Sequence, residues 1–394
     1  MELHVTAFVW VLVLASITPA VAGWARLPYS VALVAVGLLV GSFGLLQDLK
    51  PSGDTILLVL LPPLLFEAAL NLDIRGIGQA MPVILLLAIP GVAISAVLVG
   101  VPLAWLTPLT IWPALLFGAF IAATDPVAVV TTFRRLKAPL ELTCMIEGES
   151  LFNDGTALVF STLLITAART GQFNVGETVS LFLWSVIGGT IIGGIAGYVI
   201  SEATRLVDDH LIAITLSGAL AYGAYLGANH VQASGALAVV AAGIVYAAHG
   251  RQKHMSDATG RILDDVWEYI GFLANATLFI LIGVSASLGS LKSQFGWVVL
   301  AIAVVLIARA VMVYTLTLGL HRITLSYGHI LFWGGLRGGV ALAVALSLPS
   351  TIPHHSLILT MTFGVVLFTI LVQGITIKPL ASRLNILAPH QNTE

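Results

Sequence analysis

Seven ionisable side chains sit inside stretches that are otherwise apolar: Glu67, Asp125, Glu147, Glu149, Asp154, Arg309 and Arg337. A charge at the centre of a membrane span costs about 2.5–3.5 kcal/mol even on a lenient insertion scale, so such groups are kept where they pair or serve a function. Scattered polar groups can simply bind helices together. Acids clustered on neighbouring stretches read instead as an ion or proton pathway. The densest cluster is Glu147-Gly-Glu-Ser-Leu-Phe-Asn-Asp-Gly155. Residues four apart share a helix face, so Ser150 stacks with Asp154 and Glu149 with Asn153. One stripe offers a hydroxyl and a carboxylate, the other a carboxylate and an amide. These are the oxygen donors that a hard monovalent cation such as Na⁺ requires.

A second group of oxygens comes from Thr124-Asp125-Pro126. Proline lacks an N–H and clashes with the preceding turn, which predicts free backbone carbonyls near residue 122 that could replace a cation's water shell. A plain proline kink beside a satisfied Asp is the simpler alternative. Glu67, in Leu61-Pro-Pro-Leu-Leu-Phe-Glu67, is either a further ligand or an interfacial acid reaching water. A buried Arg stays protonated and needs an acidic partner. Glu149 and Asp125 are the natural partners for Arg309 and Arg337.

The elements that hold these residues must be membrane helices. Of 394 residues, 58% are hydrophobic and 9% charged, against about 25% charged in soluble domains. A net charge of −2 gives no reason to expect nucleic acid as a partner. The single cysteine, Cys144, excludes an intrachain disulfide and reads as a small buried residue. A span takes ~20 apolar residues. Thirteen stretches qualify: 6–22, 28–46, 54–72, 80–106, 111–133, 141–170, 177–203, 210–229, 234–250, 266–288, 294–320, 326–348 and 355–385. No Lys or Arg precedes the first, so it is expected to be a retained helix rather than a cleaved signal peptide.

Loops after odd-numbered spans hold twelve Lys and Arg residues, Arg26, Arg75, Arg134, Arg135, Lys137, Arg205, Arg251, Lys253, Arg261, Arg322, Lys378 and Arg383; loops after even-numbered spans hold three, Lys50, Arg169 and Lys292. The positive-inside rule puts the N-terminus outside and the C-terminus in the cytoplasm. The longest loop is expected around 251–265, and no regulatory domain is expected in the tail after Arg383. A structural repeat is expected: it would relate spans 1–6 to spans 8–13 by a shift of seven, an odd number, and so make the two halves inverted. Spans 5 and 12 then correspond. Both are interrupted, span 5 at Thr124-Asp125-Pro126 and span 12 at Gly334-Gly-Leu-Arg-Gly-Gly339. Paired interruptions of this kind point to a binding site at the bilayer midplane.

Together Leu61–Glu67, Ala123-Thr-Asp-Pro-Val-Ala128, Glu147–Gly155 and Gly334–Gly339 resemble the monovalent cation/proton antiporter superfamily, in its Na⁺/H⁺ exchanger branch. The resemblance implies an all-α polytopic membrane protein of 13 transmembrane helices, an inverted repeat with two crossed broken helices. It implies one module over 1–394: a scaffold and dimer part, 1–79 and 204–292, a linker helix, 177–203, and a mobile core, 80–170 and 293–385. It also implies a homodimer in the inner membrane. Asp154 becomes the central carboxylate for cation and proton, with Ser150, Thr124 and Glu67 lending oxygen and Asp125 beside the site. Asn153 is expected to be held by a Glu149–Arg309 pair, with Arg337 at the second broken helix. Larger relatives carry a long cytoplasmic tail, and regulation through one is not expected here.

One carboxylate cannot hold Na⁺ and H⁺ together, so competition for Asp154 with alternating access yields exchange. Asn153 beside Asp154 leaves one titratable carboxylate where a sister branch has two adjacent acids, which predicts electroneutral one-for-one exchange. No cofactor is expected, and the partners are Na⁺ (or Li⁺), H⁺ and the lipid bilayer. A K⁺/H⁺ antiporter of the same fold is the nearest alternative, because oxygen ligands alone do not select cation radius. A cation channel is a second. An enzyme is not expected: the intramembrane-protease motifs Gly-x-Gly-Asp, His-Glu-x-x-His and Gly-x-Ser-Gly do not occur.

Overall fold

Backbone N–H and C=O groups find no water in a bilayer, so a spanning chain must satisfy them internally. The chain does so with helices alone. The computed structural model describes residues 2–25, 27–43, 52–170, 174–206, 209–317, 323–384 and 386, and no strand occurs among them. Arg26, Lys50 and Arg322 from the loop tally lie outside the described residues, as do 44–46, 318–320 and 385 at the ends of expected spans and the tail from 387.

Helix occupies each of the thirteen expected stretches. By length and composition, eight helices among the described residues can cross a membrane alone. Counting Val9–Trp24 with Tyr29–Ser42, bent by 117°, as one broken span makes nine. The protein is therefore a multi-pass membrane protein, while thirteen crossings depend on the shorter and interrupted helices. The expected loop at 251–265 is mostly helix. Ser256 accepts a hydrogen bond from Thr259 N–H and starts Asp257–Ser285, nine residues before the expected span. Arg251 and Asp264 form an ion pair across this turn. Its mixed charge hid a helix start, because a Ser cap followed by Asp is also a loop-like sequence.

Small residues bring helices close where no hydrophobic force separates helix from lipid. Gly189, Gly193 and Gly197 lie on Val175–Arg205 one turn apart. A Cβ on each would strike the backbone of Ser234, Ala238 and Ala242 in turn. This Gly-x-x-x-Gly ladder packs inside the subunit, against the helix Gly235–Val245 and its cap. The outer face of Val175–Arg205 stays open: 17% of its apolar window is buried, against 72% for His355–Arg383.

Two helical stretches are interrupted. Ile111–Phe120 ends, the chain runs irregularly, and Val127–Arg135 begins. Leu325–Trp333 and Gly339–Ser347 flank the second interruption. Ten residues of helix span roughly 15 Å, about half the hydrocarbon core, so each break falls at depth. The two breaks meet: the Asp125 N–H donates to the Leu336 carbonyl at 2.7 Å.

Candidate functional site

Irregular backbone at membrane depth leaves helix ends unsatisfied. The first half of each broken helix ends with carbonyls and partial negative charge, and the second half begins with N–H groups and partial positive charge. Two arginines serve the negative ends. Arg337 donates to the Ala122 carbonyl at 2.7 Å, and Arg309 to the Leu331 carbonyl at 2.8 Å. Asp125 serves a positive end, accepting the Val127 N–H at 3.0 Å. The charged residues thus balance the termini that the breaks create.

The long helix Leu140–Thr170 lies beside the first break. Its two stripes divide as the 3.6-residue period requires. Glu149 and Asn153 are buried in protein, 3% and 1% exposed. Glu149 takes a two-pronged bond from Arg309, Nη1 to Oε1 at 2.5 Å and Nη2 to Oε2 at 3.0 Å. Ser150 and Asp154 face a cavity of about 250 Å³. Thr124, Asp125 and Glu67 line the same cavity, with Gly338 and Gly339 of the second break. The structure therefore brings five expected ligand residues together. Glu67 accepts a hydrogen bond from Asn71 Nδ2 at 2.7 Å. Asp154 Oδ1 is buried without a hydrogen-bond partner among the described residues.

Three expectations need correction. Asn153 is not held by the Glu149–Arg309 pair: its amide clamps Thr124, donating to Oγ1 at 2.8 Å and accepting the Thr124 N–H at 3.3 Å. The carbonyls freed by Pro126 are not all left for a cation, since Ala122 is taken by Arg337 and Thr124 by the Ser150 hydroxyl. Asp125 and Arg337 form no ion pair among the described residues, because the guanidinium is directed at a helix end. Each difference has one cause. A backbone group in low dielectric competes for side-chain partners as strongly as another side chain does.

Three wall residues fall outside the expected ligand set: Asn275, Arg134 and Glu147. Arg134 Nη2 donates to Glu147 Oε1 at 2.7 Å. Glu147 could have been placed from its spacing, since it lies seven residues, two turns, before Asp154 on the cavity stripe.

An all-helical membrane bundle with an acid-lined cavity at two crossed helix breaks is the architecture of a secondary transporter. The chain belongs to the sodium/hydrogen exchanger family, whose transmembrane profile matches residues 12–383. It is 37% identical over 393 residues to the Na(+)/H(+) antiporter NhaG of Bacillus atrophaeus, covering 96% of this chain and 74% of that one. It is 35% identical over 395 residues to the Na(+)/H(+) antiporter NhaH of Halobacillus aidingensis, covering 96% and 98%. In fold it is similar to the sodium proton antiporter MjNhaP1 from Methanocaldococcus jannaschii, with a TM-score of 0.81, 20% identity, and coverage of 98% and 99%.

Proposed function

We propose that the chain exchanges Na⁺ (or Li⁺) for H⁺ across the inner membrane, one for one, by competition of cation and proton for Asp154. The observation that carries this reading is the buried Oδ1 of Asp154, which has no hydrogen-bond partner among the described residues, in a cavity that Ser150, Thr124, Asp125 and Glu67 also line. An ionised carboxylate there needs a cation, and a protonated one needs none. Ser150, Thr124 and Glu67 add oxygens, and Asp125 sets the local charge. Glu149, Arg309, Asn153 and Arg337 act as supports, each through a bond that holds a helix break or its neighbour. The named activity of the relatives supports the same choice of ions.

The proposal includes thirteen crossings, inverted halves, and a scaffold (1–79, 204–292) against which a core (80–170, 293–385) moves, with 177–203 as linker. It also includes a homodimer with the N-terminus outside and the C-terminus in the cytoplasm. Proteoliposomes test the activity directly. Na⁺ or Li⁺ added on one side should drive proton flux, and K⁺ should drive much less. Flux with K⁺ alone would establish the K⁺/H⁺ alternative.

Voltage tests the stoichiometry. Each elementary charge moved across a membrane is worth about 2.3 kcal/mol per 100 mV, so a single uncompensated charge per cycle is easily seen. With Na⁺ and H⁺ gradients equal in size and in the same direction, one-for-one electroneutral exchange predicts no net flux with or without an imposed potential. Net Na⁺ movement that follows the sign of the potential refutes one-for-one exchange and makes Asp125 the first suspect for a second proton.

Gly338 supplies a steric test. A Cβ there would lie 2.6 Å from Asp125 Oδ2, too close for any real contact. Gly338→Ala is expected to displace Asp125 and cut transport at least about tenfold, since misplacing a reacting group by 1 Å can cost about a hundredfold. Wild-type rates in a folded Gly338→Ala protein would show that Asp125's position is not critical.

A further inference from the structure

Four acids and one base line the cavity, and the base stands at its open end: Arg134 lines the wall while its side chain is 58% exposed. It holds Glu147, whose side chain is 13% exposed, at 2.7 Å. Glu147 begins a stripe on Leu140–Thr170 that continues through Ser150 to Asp154. Two helical turns, roughly 10 Å, separate the two carboxylates. Glu67 lines the same cavity. The first carboxylate that an incoming cation meets beside the opening therefore already carries a cationic group. Solvent reaches the guanidinium and weakens the pair, so a free cation can exchange with it.

We propose that Arg134 is a tethered competitor of the transported cation: it covers Glu147 while the cavity is empty and yields it to each cation that enters. Glu147 is then the entry carboxylate, and the pair sets apparent cation affinity on the open side of the cavity. Arg134 is a positioning residue and does not touch the cation at Asp154. The inference rests on the exchange function proposed above.

The experiment is a Na⁺ titration of proton flux in proteoliposomes. Arg134→Gln should lower the KM for Na⁺ about threefold, the effect of one unit charge several ångströms from the path in high dielectric. The change should fall on KM and leave kcat within about twofold, since a competitor at the entrance is displaced at saturation. Arg134→Lys keeps the charge and should keep a KM near wild type. Glu147→Gln should raise KM, and in that background Arg134→Gln should have no further effect. Glu147→Asp, which keeps the carboxylate, stands in if Glu147→Gln does not fold, and should remain sensitive to Arg134→Gln. A KM indifferent to Arg134→Gln overturns the inference. So does an equal fall with and without the Glu147 carboxylate, which would mean that Arg134 acts only as a distant field. A wild-type protein without any cation-driven flux would sink the exchange function itself, a result separate from either of these.

Discussion

Asp154→Asn is expected to reduce Na⁺-driven proton flux to that of liposomes without protein. The substitution keeps size and polarity and removes the one thing the mechanism needs, a group that alternates between charged and protonated. Asn cannot bind a proton in exchange for a cation, so neither half of the cycle can be completed. Folding should survive. Asp154 Oδ1 has no hydrogen-bond partner to lose, and a neutral amide is cheaper to hold in a bilayer than a carboxylate. Expression and thermal stability equal to or above wild type, with no flux, is the predicted pair of results. Asp125→Asn should also impair transport severely, while Asp125→Glu keeps some. Its carboxylate accepts the Val127 N–H, so part of its loss is structural. Asp154→Asn separates chemistry from structure more cleanly. Retained exchange at the wild-type rate would remove Asp154 from the centre of the cycle.

The largest effect on stability is expected from breaking the Glu149–Arg309 pair. Both residues are 3% exposed, and the guanidinium also holds the Leu331 carbonyl at 2.8 Å. Removing one partner of a buried pair leaves a bare charge, at a cost of about 3–5 kcal/mol. Glu149→Ala and Arg309→Ala should each lower the melting temperature strongly. The double variant should recover part of the loss, because no unpaired charge remains. The recovery should be incomplete, since Leu331 still loses its donor. Additive losses across the cycle would mean that the two residues do not act as a pair. Thermal melts in detergent, followed by intrinsic fluorescence, make the comparison.

Much of the site was legible because a helix has one period. Ser150 and Asp154 on one face and Glu149 and Asn153 on the other follow from spacing alone, and the structure places the first pair on the cavity and buries the second. The breaks at Thr124-Asp125-Pro126 and Gly334–Gly339 were legible too, since proline and repeated glycine interrupt helices for local reasons. The partners of Asn153 and Arg337 were not. Their bonds to Thr124 and Ala122 cross 29 and 215 residues, and nothing local in the sequence chooses between a carboxylate and a carbonyl as acceptor. The helix start at Asp257 was missed because polar residues just outside a bilayer look like a loop.

The sequence alone determined that the chain is a helical membrane protein, which stretches are apolar enough to enter the bilayer, and which carboxylates lie among them. Hydropathy and helical period act over a few turns, and both are written in neighbouring residues. Only the tertiary structure decided what each buried charge touches. The two crossed breaks expose backbone ends at depth, and those ends claimed both arginines, Asp125 and the Ser150 hydroxyl. Asp154 was left with a buried oxygen that has no hydrogen-bond partner among the described residues. In a medium without water every polar group must find a mate within reach, and reach is a property of the fold.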